Sequence, residues 1–115
     1  MMTGYARRTE RATFMNREFA DTTRMFRVLS NDRRLSILSH LTSGQMCTSD
    51  LISKIKIAPN TLFQHLRVLV NSGLVTSRRE GKRTYYAISA EGRRKAMMLL
   101  LSLTTADVGQ VDARN

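Results

Sequence analysis

The sequence predicts a mainly α-helical domain closed by a small β-hairpin, an α+β fold of about five helices and two strands. Three observations carry that prediction. Apolar residues recur at helical spacings through most of residues 14–72. From Leu74 the rhythm changes to period two, in "LVTSRREGKRTYYAIS", with Gly81 at its centre. The run "AMMLLLSL" at 96–103 then returns to helical spacing. A chain of 115 residues with 42% hydrophobic content can enclose one core and not two of ordinary size.

Residues 1–13 hold Arg7, Arg8 and Arg11 without a periodic apolar face and read as a mobile basic arm. The first helix is expected over 14–29, where Phe14, Met15, Phe19, Met25, Phe26, Val28 and Leu29 recur irregularly at helical spacings. Asn31 is placed to cap a second helix whose inner face would be Leu35, Ile37, Leu38 and Leu41, with Gly44 near its end. Thr48 is expected to cap a two-turn third helix over 48–55 that turns Leu51, Ile52 and Ile55 inward. Pro59 suits the first turn of a fourth helix over 59–72, where no N–H is required of it. Leu62, Leu66 and Leu69 form that helix's buried stripe, helped by Val70, and Gly73 supplies the left-handed residue that ends it. In the hairpin at 74–89, Leu74 and Thr76 are expected on one face and Val75 and Ser77 on the other. Ser89 caps a last helix over about 90–104 carrying Ala96, Met97, Leu100, Leu101 and Leu103. Residues 14–105 thus form one domain and 106–115 a polar tail.

Nineteen Lys and Arg against nine acids give a formal charge of +10, which favours a polyanionic partner. Residues 54–95 hold ten of those cations and only two of the acids, so the charge is concentrated on the fourth helix, the hairpin and their flanks. A merely solvated basic face is the plainer reading of the same count. No disulfide can form within a chain whose only cysteine is Cys47, and no zinc site can be built from paired cysteines, so a reducing, cytoplasmic setting is expected. The longest apolar stretch falls well short of the roughly 20 residues of a membrane helix, and the N-terminus lacks a signal peptide's apolar segment. No membrane partner is expected, and no cofactor. A Gly-rich phosphate loop, a His-Glu metal pattern and a nucleophile-base pair are all missing, and Gly81-Lys82 has no upstream glycine to make a phosphate loop, so an enzyme is not expected.

Two short helices joined by a tight turn hold the second one proud of the surface, and such a helix fits the roughly 12 Å major groove of B-DNA. On the fourth helix, Asn60, Thr61, Gln64 and Arg67 face outward with base-reading chemistry: amides pair with adenine, guanidinium with guanine, and a Thr methyl touches thymine. Phe63 falls near this face and either packs on a thymine methyl or against the hairpin or third helix. His65 either helps pack and position this helix or meets a phosphate when protonated. Arg78, Arg79, Lys82 and Arg83 at the hairpin tip, with Lys56 before the fourth helix, suit phosphate or minor-groove contact; the alternative is an edge ribbon whose cations discourage strand pairing.

Together "LSNDRRLSILSHL", "CTSDLISKI", "APNTLFQHLRVLVNSGLV" and "TSRREGKRTYYAIS" resemble the ArsR/SmtB family of winged helix-turn-helix repressors over roughly residues 22–90. The resemblance implies a homodimer paired through its first and last helices, which places Phe19, Phe26, Met97, Leu100 and Leu101 on the dimer face. It also implies two recognition helices on a near-palindromic operator in double-stranded DNA, and repression released by a ligand of unknown identity. Metal-sensing members carry Cys-x-Cys at the start of the third helix, where this chain has Cys47 followed by Ser49, and others use carboxylate and His ligands on the last helix, where it has only Glu91. A zinc site wants about four ligands, or three with an open position, so no metal is expected. Cys47 is either a small hydrophobe closing a gap or a reactive thiol at a helix start. Ala58, where relatives commonly have Ser, cannot cap the fourth helix. Two other functions compete: an architectural protein binding DNA with little sequence preference, and a winged-helix module that binds protein.

Overall fold

Asn31 fixes the first bend of the chain. Its extended backbone (φ −159°) ends one helix, and its side-chain oxygen accepts from the N–H groups of Arg33 and Arg34 at 3.0 and 3.1 Å to start the next. The computed structural model describes residues 19–104, so the basic arm, Phe14, Met15 and the polar tail lie outside the described residues. The described helices are α1 (Ala20–Leu29), α2 (Asp32–Leu41), α3 (Thr48–Ile55), α4 (Pro59–Asn71) and α5 (Ala90–Thr104). The strands are β1 (Met46–Cys47), β2 (Val75–Glu80) and β3 (Arg83–Ile88).

The core is aliphatic. Ile37 of α2, Leu51 of α3 and Leu62, Leu66 and Leu69 of α4 are all at most 1% exposed, and Val28, Leu41, Ile57, Leu74 and Val75 close around them. The expected inner face of α2 needs a correction. Ile37 and Leu41 are buried, but Leu35 is 48% exposed, because the i, i+3, i+7 row leading to Leu41 begins at Arg34. Arg34 is therefore half-buried and Leu35 points outward.

The third helix starts as expected at Thr48, but Cys47, with extended backbone, occupies the cap position without a side-chain cap bond. Thr48 is not the cap because the chain is still paired as a strand at Cys47. Met46 and Cys47 pair antiparallel with Tyr86 and Tyr85, so the expected two-stranded hairpin is a three-stranded sheet in the order β1-β3-β2. α3 ends at Lys56, a non-glycine residue in the left-handed region (φ 57°, ψ 55°) whose N–H bonds the Ile52 carbonyl at 2.9 Å. This conformation turns the chain sharply, buried Ile57 anchors the turn, and α4 follows after Ala58.

Gly73 (φ 87°) ends α4 as expected, and Ser72 helps by accepting from the Leu74 N–H through its hydroxyl at 3.3 Å. Leu74 and Val75 are both buried rather than on opposite faces, because the strand begins only at Val75 and Leu74 still belongs to the turn. Residues 81–82 join β2 to β3, with Glu80 paired to Arg83. A positive φ at Gly81 (62°) and none at Lys82 is the pattern of a type II′ hairpin turn. Ser89 caps α5 through its hydroxyl, which accepts from the Gly92 N–H at 3.0 Å. α5 then returns to pack against α1. No described helix is long and apolar enough to cross a membrane.

Candidate nucleic-acid interface

α4 buries one stripe and leaves the other side open. With Leu62, Leu66 and Leu69 in the core, Asn60, Phe63, Gln64 and Arg67, spaced i, i+3, i+4 and i+7, share the exposed face, and Thr61 is half-buried at its edge. The face is thus a single stripe of two amides, one guanidinium and one aromatic ring. Ala58 precedes α4 in extended conformation and provides no side-chain cap, and Pro59 follows at the first helical position. Lys56 is exposed at the turn just before it.

The hairpin stands beside this face. Phe63 of α4 and Lys82, Arg83 and Thr84 of the hairpin, with Thr48 and Ser49 of α3, border an open cleft of about 350 Å³. Phe63 is 45% exposed there, so its ring is open to solvent while flanked by both hairpin and α3.

The four hairpin cations are not equivalent. Arg78 forms an ion pair with Glu80, donates to the Gln45 side chain at 3.1 Å, and lies over the Tyr85 ring, its cross-strand partner, at 5.3 Å. Arg79 donates to the Gly81 carbonyl at 3.4 Å. Lys82 and Arg83 are exposed at the tip and form no ion pair among the described residues. Arg78 therefore braces the hairpin, whereas Lys82 and Arg83 project from it. Gln45 had no signal in the sequence, because its partner is 33 residues away.

His65 faces the opposite way from the polar stripe. Its Nδ1 accepts from the Arg34 Nε at 3.3 Å. Burial, and then the Arg34 and Arg33 guanidiniums, hold its pKa below the ordinary histidine value of 6.5. The ring is thereby tied to α2. Cys47 is buried, its thiol donating to the Asp50 carboxylate at 3.2 Å with the Ser49 hydroxyl 3.1 Å away. Among the described residues no group of three or more His, Cys, Asp or Glu side chains gathers as metal ligands.

Phe26, Met97, Leu100 and Leu101 are 46–57% exposed on the paired helices α1 and α5, and Phe19 is 37% exposed just before α1. Phe26, Met97 and Leu100 help line an apolar hollow of about 160 Å³ between the two helices.

The sequence profile of the bacterial regulatory proteins of the arsR family matches residues 31–77, the span from the Asn31 cap into β2. The transcriptional activator HlyU of Vibrio cholerae is 32% identical over 87 residues, which cover 76% of this chain and 80% of HlyU. The arsenical resistance operon repressor of Staphylococcus aureus is 31% identical over 71 residues, covering 62% of this chain and 68% of that protein. Among solved structures, reduced HlyU from Vibrio cholerae superimposes with a TM-score of 0.63 at 30% identity, over 78% of this chain and 95% of its own.

Proposed function

Because the chain belongs to the arsR family of bacterial regulatory proteins, we propose that this DNA-binding transcriptional regulator acts as a homodimeric repressor on a near-palindromic operator. α4 enters the major groove and presents Asn60, Thr61, Gln64 and Arg67 to base edges, with Phe63 beside them for a thymine methyl. Lys82 and Arg83 hold the backbone or minor groove alongside, and Lys56 lies close to the phosphates at the start of α4. Arg79 adds charge to the same edge, and Arg78 acts mainly by stiffening the hairpin. The two-fold axis runs through the α1–α5 faces, where Phe19, Phe26, Met97, Leu100 and Leu101 cover each other across the interface. Residues 14–105 form one winged domain, and the basic arm at 1–13 adds further phosphate contacts. No catalysis is assigned to the protein.

The observation that carries this reading is the single exposed stripe of base-reading side chains on α4, set beside two projecting hairpin cations. A protein-binding relic would need neither. Repression is proposed on the likeness to the arsenical resistance operon repressor, while HlyU, which matches more of the chain, is an activator.

Two substitutions separate reading from gripping. Gln64→Ala is expected to cost about 1 to 3 kcal/mol on operator DNA and much less on random duplex. Lys82→Ala should weaken binding to both alike and lower the slope of log K against log salt by about 1.8, one phosphate contact per subunit of the dimer. Titrations of each variant on both duplexes across a range of salt measure this directly. Equal losses on both duplexes for Gln64→Ala would remove that residue from the base-reading set and favour binding with little sequence preference.

A further inference from the structure

Arg34 connects three helices. It belongs to α2, its Nη1 donates to the Val28 and Arg27 carbonyls at the end of α1 at 3.2 and 3.4 Å, and its Nε donates to His65 Nδ1 on α4 at 3.3 Å. α1 ends at Leu29; the Arg27 carbonyl also accepts from the Ser30 N–H at 3.3 Å and the Leu29 carbonyl from the Asn31 N–H at 2.9 Å, and a cation there complements the negative end of the helix dipole. The planar guanidinium is the one side chain that can address carbonyls on one side and an imidazole on the other with fixed geometry. Only a neutral imidazole with its proton on Nε2 offers Nδ1 as the acceptor. His65 lies one residue beyond Gln64 and two before Arg67, so whatever fixes its ring fixes the pitch of the polar stripe.

We propose that Arg34 is a positioning residue for DNA recognition: it holds α4 at a set angle to the dimer helix α1, through His65 on one side and the α1 carbonyls on the other. The proposal deepens the reading of α4 as the recognition helix and α1 as part of the dimer face. In a dimer, the angle between those helices sets the spacing and tilt of the two recognition helices. Arg34 thereby ties half-site geometry to the subunit interface without touching DNA. The charged groups acting on His65 are Arg34 and Arg33, both from α2; Arg67, on its own helix, is exposed on the polar stripe. No carboxylate among the described residues forms an ion pair with His65. Protonation would remove the acceptor and set a third cation beside two others, so the clamp exists only with the ring neutral.

Three variants test the clamp. Arg34→Gln keeps much of the side-chain stem, His65→Ala removes the acceptor, and His65→Asn keeps an acceptor near the Nδ1 position but cannot titrate. In ¹H–¹⁵N spectra without DNA, Arg34→Gln should shift the amides of residues 60–67 while the remainder of the folded pattern persists. Unmoved amides there would overturn the proposal whatever the protein binds. On operator DNA, Arg34→Gln and His65→Ala should each lose about tenfold in affinity, and the double variant little more than either alone. The salt slope should stay unchanged in all three.

Losses that multiply in the double variant would overturn the coupling, and a salt slope lower by about 1.8, one contact per subunit, in Arg34→Gln would make Arg34 a phosphate contact instead. Acidification supplies a further readout. Above pH 6.5 the ring is neutral in folded and unfolded chains alike; below it the unfolded chain binds the proton first, so the ring's contribution to stability falls, and the clamp opens as pH approaches the lowered folded value. Operator affinity should therefore drop on acidification in the wild type and not in His65→Asn. A rise on acidification would show His65⁺ meeting phosphate and overturn the clamp. Failure of the sequence-specific regulator reading would look different, because wild-type protein would then bind operator and random DNA alike while the amide shifts remained.

Discussion

Replacing Gly92 by Ala is expected to destabilise the fold by about 3 kcal/mol, at the upper end of the range for overpacking a tight contact. A Cβ built on Gly92 would stand 2.0 Å from the Gly73 carbonyl oxygen, 2.7 Å from its carbon and 3.0 Å from the Leu74 Cα. All three atoms are backbone, and none can rotate away. They also belong to the turn that Gly73, at φ 87°, makes between α4 and β2, so the turn has little freedom to yield. α5 must move instead, although the Ser89 hydroxyl ties its first turn through the Gly92 N–H and the Ser89 N–H bonds Leu74 at 2.8 Å. A loss of this size lowers the melting temperature by at least about 10 °C in a domain of this length. Thermal unfolding followed by circular dichroism measures it; a change below about 2 °C would mean that α5 sits further from the turn than described.

Leu100→Asp is expected to leave the monomer folded and abolish dimerisation. Leu100 is 50% exposed on α5, at the edge of the hollow bordered by Phe26 and Met97, so the isolated subunit loses little by the change. In the proposed dimer the same side chain is covered, and two buried, unpaired carboxylates would face each other across the two-fold axis. A regulator that reads two half-sites with one rigid body gains roughly 10² to 10⁴ in affinity from the linkage, and Leu100→Asp should forfeit it. Sedimentation of the free variant and titration of operator DNA give the two readouts. A variant that remains dimeric would place the interface elsewhere.

The parts of this molecule that were legible in its sequence are those set by local chemistry. Asn31, Pro59, Gly73, Gly81 and Ser89 each punctuate the chain through their own backbone or capping preferences, and the structure uses all five where expected. The stripe of Leu62, Leu66 and Leu69 fixed the phase of α4, and with it the outward set Asn60, Gln64 and Arg67. What escaped depends on contacts far apart in sequence. β1 is only two residues long and exists because Met46 and Cys47 find β3 some 40 residues on, so nothing periodic announced it and Thr48 looked like a cap. Leu35 reads as inward because it is apolar, whereas the helix row leads through Arg34. An arginine on an inner row is readable in principle, but its reason lies with the α1 carbonyls and with His65, 31 residues further along. Equal formal charge also hid unequal roles at the hairpin, where Gln45, Glu80 and Tyr85 occupy Arg78 and leave Lys82 and Arg83 to project.

In the proposed complex α4 and the hairpin read a specific duplex as a pair. Fluorescence anisotropy of the protein on the DNA upstream of its own gene, against a scrambled duplex and across a range of salt, tests it most directly. A preference of about 10³ or more for the native duplex is expected, with a steep fall in affinity as salt rises. Equal binding to both duplexes would contradict it in favour of an architectural role, and no binding to either at low salt would mean that the cations of α4 and the hairpin serve a partner other than DNA.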